Sequence, residues 1–180
     1  MHSGIFMKNN KGYSLVEIII VVAILSVLTA GISMSASAIN NSNAKACANS
    51  IRDALAEAKI LAMSKGSNST RLNLYKDADG NLYAKQEISS GSSGWNTYGN
   101  EERIGKRKVE IYYVLPGEDE RPLNNSESIC LSFDRASGSF KDQIEVNGAI
   151  KPIPEKIIVR GGSRTINLVI HELTGKVDVQ

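Results

Sequence analysis

The sequence predicts an α+β fold, with one long N-terminal helix packed on an antiparallel β-sheet domain. Three observations carry this. An apolar run from Leu15 to Ile32 has helical length. An alanine-rich stripe at three- and four-residue spacings follows it, from Ala44 to Ala62. From Thr70 onward, short alternating apolar runs are separated by glycine, asparagine and serine clusters.

The apolar run is broken only by Glu17, Ser26, Thr29 and Gly31. Its length is near the roughly 20 residues that a membrane-spanning helix needs. Lys8 and Lys11 precede it without an acid between them, which predicts a cytoplasmic N-terminus and an exported C-terminus. Three readings compete. A secretory signal would be cut after the apolar region, where Ser35 to Ala38 supplies small residues. A plain anchor would not be cut. A leader cut before the run would leave the anchor on the mature chain. Glu17 bears on the choice, because a carboxylate in an apolar segment is expensive and reads as functional by default. Ser14-Leu15-Val16-Glu17 also fits a helix capping box, and both roles can hold together.

Gly12-Tyr13-Ser14-Leu15-Val16-Glu17, with Lys11 before it, resembles the prepilin processing motif of type IV pilins and type II secretion pseudopilins. The resemblance implies cleavage between Gly12 and Tyr13 and methylation of the new Tyr13 amine. It implies that Glu17 pairs in lipid with the N-terminal amine of a neighbouring subunit and sets filament register, a use for which buried ion pairs are better suited than for net stability. The implied partners are other pilin or pseudopilin subunits, the prepilin peptidase/methyltransferase and membrane lipid. The implied location is a single pass of the cytoplasmic membrane, then an extracytoplasmic filament. The divisions that follow are a leader at 1–12, a transmembrane and assembly segment at 13–39, an amphipathic helix half at 40–66 and a globular domain at 67–180. Many major pilins bend this helix with a proline; here no proline precedes Pro116, which favours a minor pilin or pseudopilin.

Ile39 to Asn43 reads as a polar interruption, a bend or partial melting. Beyond it, Ala44, Cys47, Ala48, Ile51, Ala54, Leu55, Ala58, Leu61 and Ala62 form a narrow core stripe, with Arg52, Asp53, Glu57 and Lys59 off it. Lys65-Gly66 supplies a helix stop.

Strands are expected at 71–75, 82–85, 109–115, 129–133, 156–160, 165–170 and 176–179. Asp77 to Asn81 is a hairpin turn between the first two; its acids lack the EF-hand spacing for calcium. Ser89 to Asn100, with the lone Trp95, reads as a surface loop, as does Glu118 to Ser128. Leu131 to Gly138, and Ile166 to Ile170 followed by Leu173-Thr174-Gly175-Lys176-Val177, are similar to the closing F-x-x-x-G and T-G-basic turns of H-type pseudopilins (the GspH/FimT-like group). This second resemblance implies a minor, filament-initiating or tip-proximal subunit.

Composition narrows the function. The formal charge is +2 over 180 residues, with two histidines and two cysteines. No nucleophile–base pair, phosphate loop or metal-ligand cluster stands out, so neither catalysis, cofactor nor metal is expected. Cys47 and Cys130 either bridge helix to sheet outside the cytoplasm or are buried thiols. Lys106, Arg107 and Lys108, with Arg160 and Arg164, are basic clusters that could meet DNA phosphates, as in DNA-uptake relatives; a solvated basic face is the other account.

Overall fold

The computed structural model describes residues 13–65, 69–89 and 94–180, with backbone alone for 30–36. Gly12, Lys8, Lys11 and the stop residue Gly66 lie outside the described residues. The fold is α+β. The chain divides between Ala36 and Ser37 into two units.

Helix α1 covers Leu15–Ser64. It runs through Ile39 to Asn43, so the expected interruption is absent. The asparagines there are tolerated because tertiary contacts hold the backbone. Asn41 Oδ1 accepts the Ser163 N–H at 3.0 Å, and Asn41 Nδ2 donates to Ser163 Oγ at 3.2 Å. Packing thus overrides a weak propensity.

In the first unit the apolar side chains from Leu15 to Leu28 are exposed. The hydroxyls among them are satisfied within the helix: Ser26 Oγ donates to the Val22 carbonyl at 2.7 Å and Thr29 Oγ1 to that of Leu25 at 2.9 Å. Such back-bonding lets a hydroxyl sit in an apolar surround. Among the described residues, no helix is long and apolar enough to cross a membrane. The run Leu15 to Ile32 continues past Thr29, the last residue there whose side chain is described.

The second unit packs the rest of α1 on eleven strands: β1 (Thr70–Lys76), β2 (Leu82–Ser89), β3 (Trp95–Gly105), β4 (Glu110–Val114), β5 (Arg121–Pro122), β6 (Ser128–Ser132), β7 (Gln143–Val146), β8 (Ala149–Pro152), β9 (Lys156–Gly161), β10 (Arg164–His171) and β11 (Lys176–Val179). One sheet has the order β3-β2-β1-β6-β7-β8, the other β11-β10-β9-β4-β5. All pairings are antiparallel. The stripe Ala44, Cys47, Ala48, Ile51, Leu55, Ala58 and Ala62 is buried in one core with Leu72, Leu74, Ile129, Leu131, Ile157, Val159 and Leu168. Small side chains let the backbones approach. At Gly161 a Cβ would lie 2.7 Å from the Asn40 carbonyl oxygen and 2.9 Å from the Ala44 Cβ.

Two expected loops contain strands. Trp95–Gly105 is an eleven-residue edge strand, exposed from Trp95 to Arg103, and residues 90–93 before it lie outside the described residues. Its polar sequence conceals it. Gly99 at φ +77° and register shifts opposite Ala84–Gln86 break the edge, and Glu101, Glu102 and Arg103 charge it. These features discourage stray strand pairing. Arg121–Pro122 pairs briefly with β4. β7 and β8 form a short hairpin through Asn147 and Gly148, both at positive φ.

The two turns singled out in the sequence meet. The Gly138 carbonyl packs directly on Gly175, and the Phe140 N–H donates to the Glu172 carbonyl at 2.9 Å. Lys59 Nζ donates to the Thr174 carbonyl at 2.7 Å, tying α1 to the junction. Gly175 holds φ +61°, so both space and backbone require glycine there.

Candidate functional site

The head of α1 is built from the capping residues. The Ser14 N–H donates to Glu17 Oε2 at 2.8 Å, and the Glu17 N–H donates back to Ser14 Oγ at 3.2 Å. The reciprocal pair satisfies two N–H groups that a helix start leaves open, and an acid in the first turn suits the helix dipole. Tyr13 is 85% exposed. It borders a shallow apolar hollow with Glu17, Ile18, Ile20, Val21 and Val22. Its partner in the expected cleavage bond, Gly12, lies outside the described residues.

Cys47 and Cys130 are both free and buried. This overturns the bridge as an option, and the reason is parity along a strand. Ile129 and Leu131 point into the core with Cys47. Cys130, between them, points to the other face of its sheet, beside Arg71 and Glu145. Successive strand side chains alternate faces, so the sheet separates the two sulfurs. Burial pushes the Cys47 thiol up to about 12 and that of Cys130 to about 11. Both are therefore unreactive thiols at neutral pH.

The basic residues differ in what engages them. Arg160 is engaged: its Nη2 donates to Glu120 Oε2 at 2.6 Å and its guanidinium lies 4.5 Å from the Tyr112 ring centroid. Lys106, Arg107, Lys108 and Arg164 are exposed.

An ionic network on the outer face of the six-stranded sheet was not foreseen. Arg71 Nε bonds Glu87 Oε2 and its Nη1 bonds Glu145 Oε2, each at 2.6 Å. Lys85 Nζ reaches Glu87 Oε1 at 2.9 Å. Trp95 caps the Arg71 guanidinium at 4.2 Å. The Glu87 side chain is 6% exposed. Burial pushes its carboxyl up, but Lys85 and Arg71 outweigh that and hold it below the usual carboxylate range. The signal lay in the register: Arg71 stands opposite Glu87 across β1 and β2, and Cys130 opposite Glu145 across β6 and β7. Beside this network runs an open groove of about 740 Å³, lined by Arg71, Trp95, Cys130, Ser132, Phe140 and Ile150 among others. Among the described residues, no group of three His, Cys, Asp or Glu side chains could hold a metal ion.

The chain is similar to a known protein in structure and to a known family in its N-terminal sequence. In overall structure the chain is similar to the minor pseudopilin EpsH from the Type 2 Secretion System of Vibrio cholerae, at 13% sequence identity and a TM-score of 0.44, over 76% of this chain and 94% of that one. No curated protein matches it in sequence. Residues 7–33 match the family described as the prokaryotic N-terminal methylation motif. The chain thus carries that motif across Gly12, Tyr13 and Glu17, at the head of its long helix.

Proposed function

We propose that this chain is a structural subunit, a minor pilin or pseudopilin, of a type IV pilus or type II secretion pseudopilus. The match of residues 7–33 to the methylation motif carries the reading. In it, prepilin peptidase cuts between Gly12 and Tyr13, and the Tyr13 amine is methylated. The apolar segment holds the subunit in the cytoplasmic membrane, with residues 67–180 outside, until it joins the filament. Exposed apolar side chains from Leu15 to Leu28, with internally bonded hydroxyls, support a segment that passes from lipid to neighbouring helices. Glu17 keeps a carboxylate at the start of that segment, where the amine of an adjacent subunit can meet it. The role is assembly, with no reaction of its own.

Mass spectrometry of the mature protein tests this directly. The expected N-terminus is Tyr13, heavier by one methyl group. A start anywhere else, or a mature chain without Leu15 to Ile32, overturns the reading.

A further inference from the structure

The basic clusters acquire a different meaning once placed. Lys106, Arg107 and Lys108 form the turn between β3 and β4 with Arg103 beside it, Arg164 opens β10, and Lys45 lies on α1. All six are exposed, and among the described residues none is in an ion pair.

Both turns gather around one part of α1. Gly162 lies against Ser37, Asn40 and Asn41, and Ser163 bonds Asn41. Gly105 faces Cys47, while Arg103 and Lys106 share a hollow with Asn43 and Ala46. Ser37 to Cys47 is where the chain enters the second unit. The sequence carries no acid from Ile18 to Arg52. Acids also stand near this end, Asp77, Asp79, Glu101, Glu102, Glu110 and Glu127, and several are engaged: Glu101 bonds the Tyr75 side chain, and Glu110 and Glu127 lie near Lys76. Asp77 turns onto Asn81, accepting its backbone N–H at 2.7 Å and its Nδ2 at 3.0 Å, and Glu110 accepts the Tyr112 hydroxyl at 3.0 Å. Asp79 sits in the same turn as Gly80, which abuts the Arg107 stem.

We propose that this end of the domain is a basic collar that binds the anionic phosphate headgroups of a lipid surface. The inference rests on the reading of Leu15 to Ile32 as lipid-inserted. Ser37 follows Ile32 by five residues, so only a short length of chain separates the collar from the lipid-inserted run. The attraction of clustered lysines and arginines to an anionic surface falls off over about 8 Å at physiological salt, so proximity decides which bases contribute. The collar would hold the domain against the membrane before extraction and release it when the subunit rises into a filament. Duplex DNA is less suited: Arg160 is withdrawn, and the remaining bases surround the chain's point of entry.

The test uses the full chain in vesicles of phosphatidylcholine alone or mixed equally with phosphatidylglycerol. Amide hydrogen exchange is read at residues 103–108 and 161–164. The expected result is severalfold slower exchange in the anionic vesicles only. That protection should vanish in molar salt and in the K106E/R107E/K108E variant, whose exchange elsewhere in the domain stays unchanged. Equal exchange in both vesicles, with the chain still inserted, overturns the collar alone. A chain that fails to float with either vesicle overturns the anchor and the collar with it. A duplex oligonucleotide that protects the same turns as strongly as anionic lipid overturns the assignment to headgroups.

Discussion

Glu17 has two separable properties, a carboxylate charge and a capping oxygen. Glu17→Gln removes the first and retains an acceptor for the Ser14 N–H. Ser14→Ala removes the reciprocal acceptor, for about 1 kcal/mol of helix stability, and leaves the charge. If Glu17 pairs with a neighbour's amine, E17Q should stay in the membrane fraction but drop out of sheared filaments, and S14A should enter them. Filament incorporation scored by immunoblot separates the roles; equal incorporation of both variants would leave only a cap. Arg71 is a second such residue. Arg71→Ala strands the buried Glu87 with Lys85 as its remaining cation, and should cost about 3 kcal/mol in urea unfolding. A loss under about 1 kcal/mol would mean that the network is solvent-screened like a surface pair.

Among the elements, the close approach of β9 to α1 is the most exacting. Gly161→Ala drives a methyl against the Asn40 carbonyl and Ala44, which overpacking data place at about 1–3 kcal/mol. Thermal unfolding should show a clear drop in Tm, while an exposed change such as Lys108→Ala should not. Strands that alternate apolar and polar residues were legible in the sequence, as was the alanine stripe. β3 was not, because Trp95 to Arg103 is exposed throughout and carries no period-two pattern. The unbroken passage through Asn40 and Asn41 was hidden for a different reason: its support is Ser163, far along the chain. The cysteines show the same limit. Their spacing is visible, but which face of β6 carries Cys130 follows only from register. Reducing agent should therefore leave Tm unchanged, and denatured protein should take up two equivalents of a thiol reagent without prior reduction. At the N-terminal site the reverse holds: the motif is local, and Gly12, Tyr13 and Glu17 are read from a few contiguous letters.

The whole domain should weaken in acid. Glu87 is held below its ordinary value of 4.5, so its contribution to stability is complete above that pH and fades as pH falls below it toward the lowered value. Asp134, held down by the Ser137 side chain and backbone, shifts the same way. Urea midpoints measured from pH 7 to pH 3 should stay level and then decline below about 4.5, with a shallower decline in R71A. A midpoint that rises on acidification would contradict the network as drawn.

If the chain is exported as proposed, the order of the strands also bears on when its domain becomes rigid. β4 and β5 belong with β9, β10 and β11, while β6 to β8 return to the sheet begun by β1 to β3. Neither sheet is a continuous stretch of chain. On the proposed passage across a membrane from N- to C-terminus, β1 must wait for β6 and β4 for β9. On that reading the domain should stay soft and protease-sensitive through most of translocation and harden once β9 has joined β4.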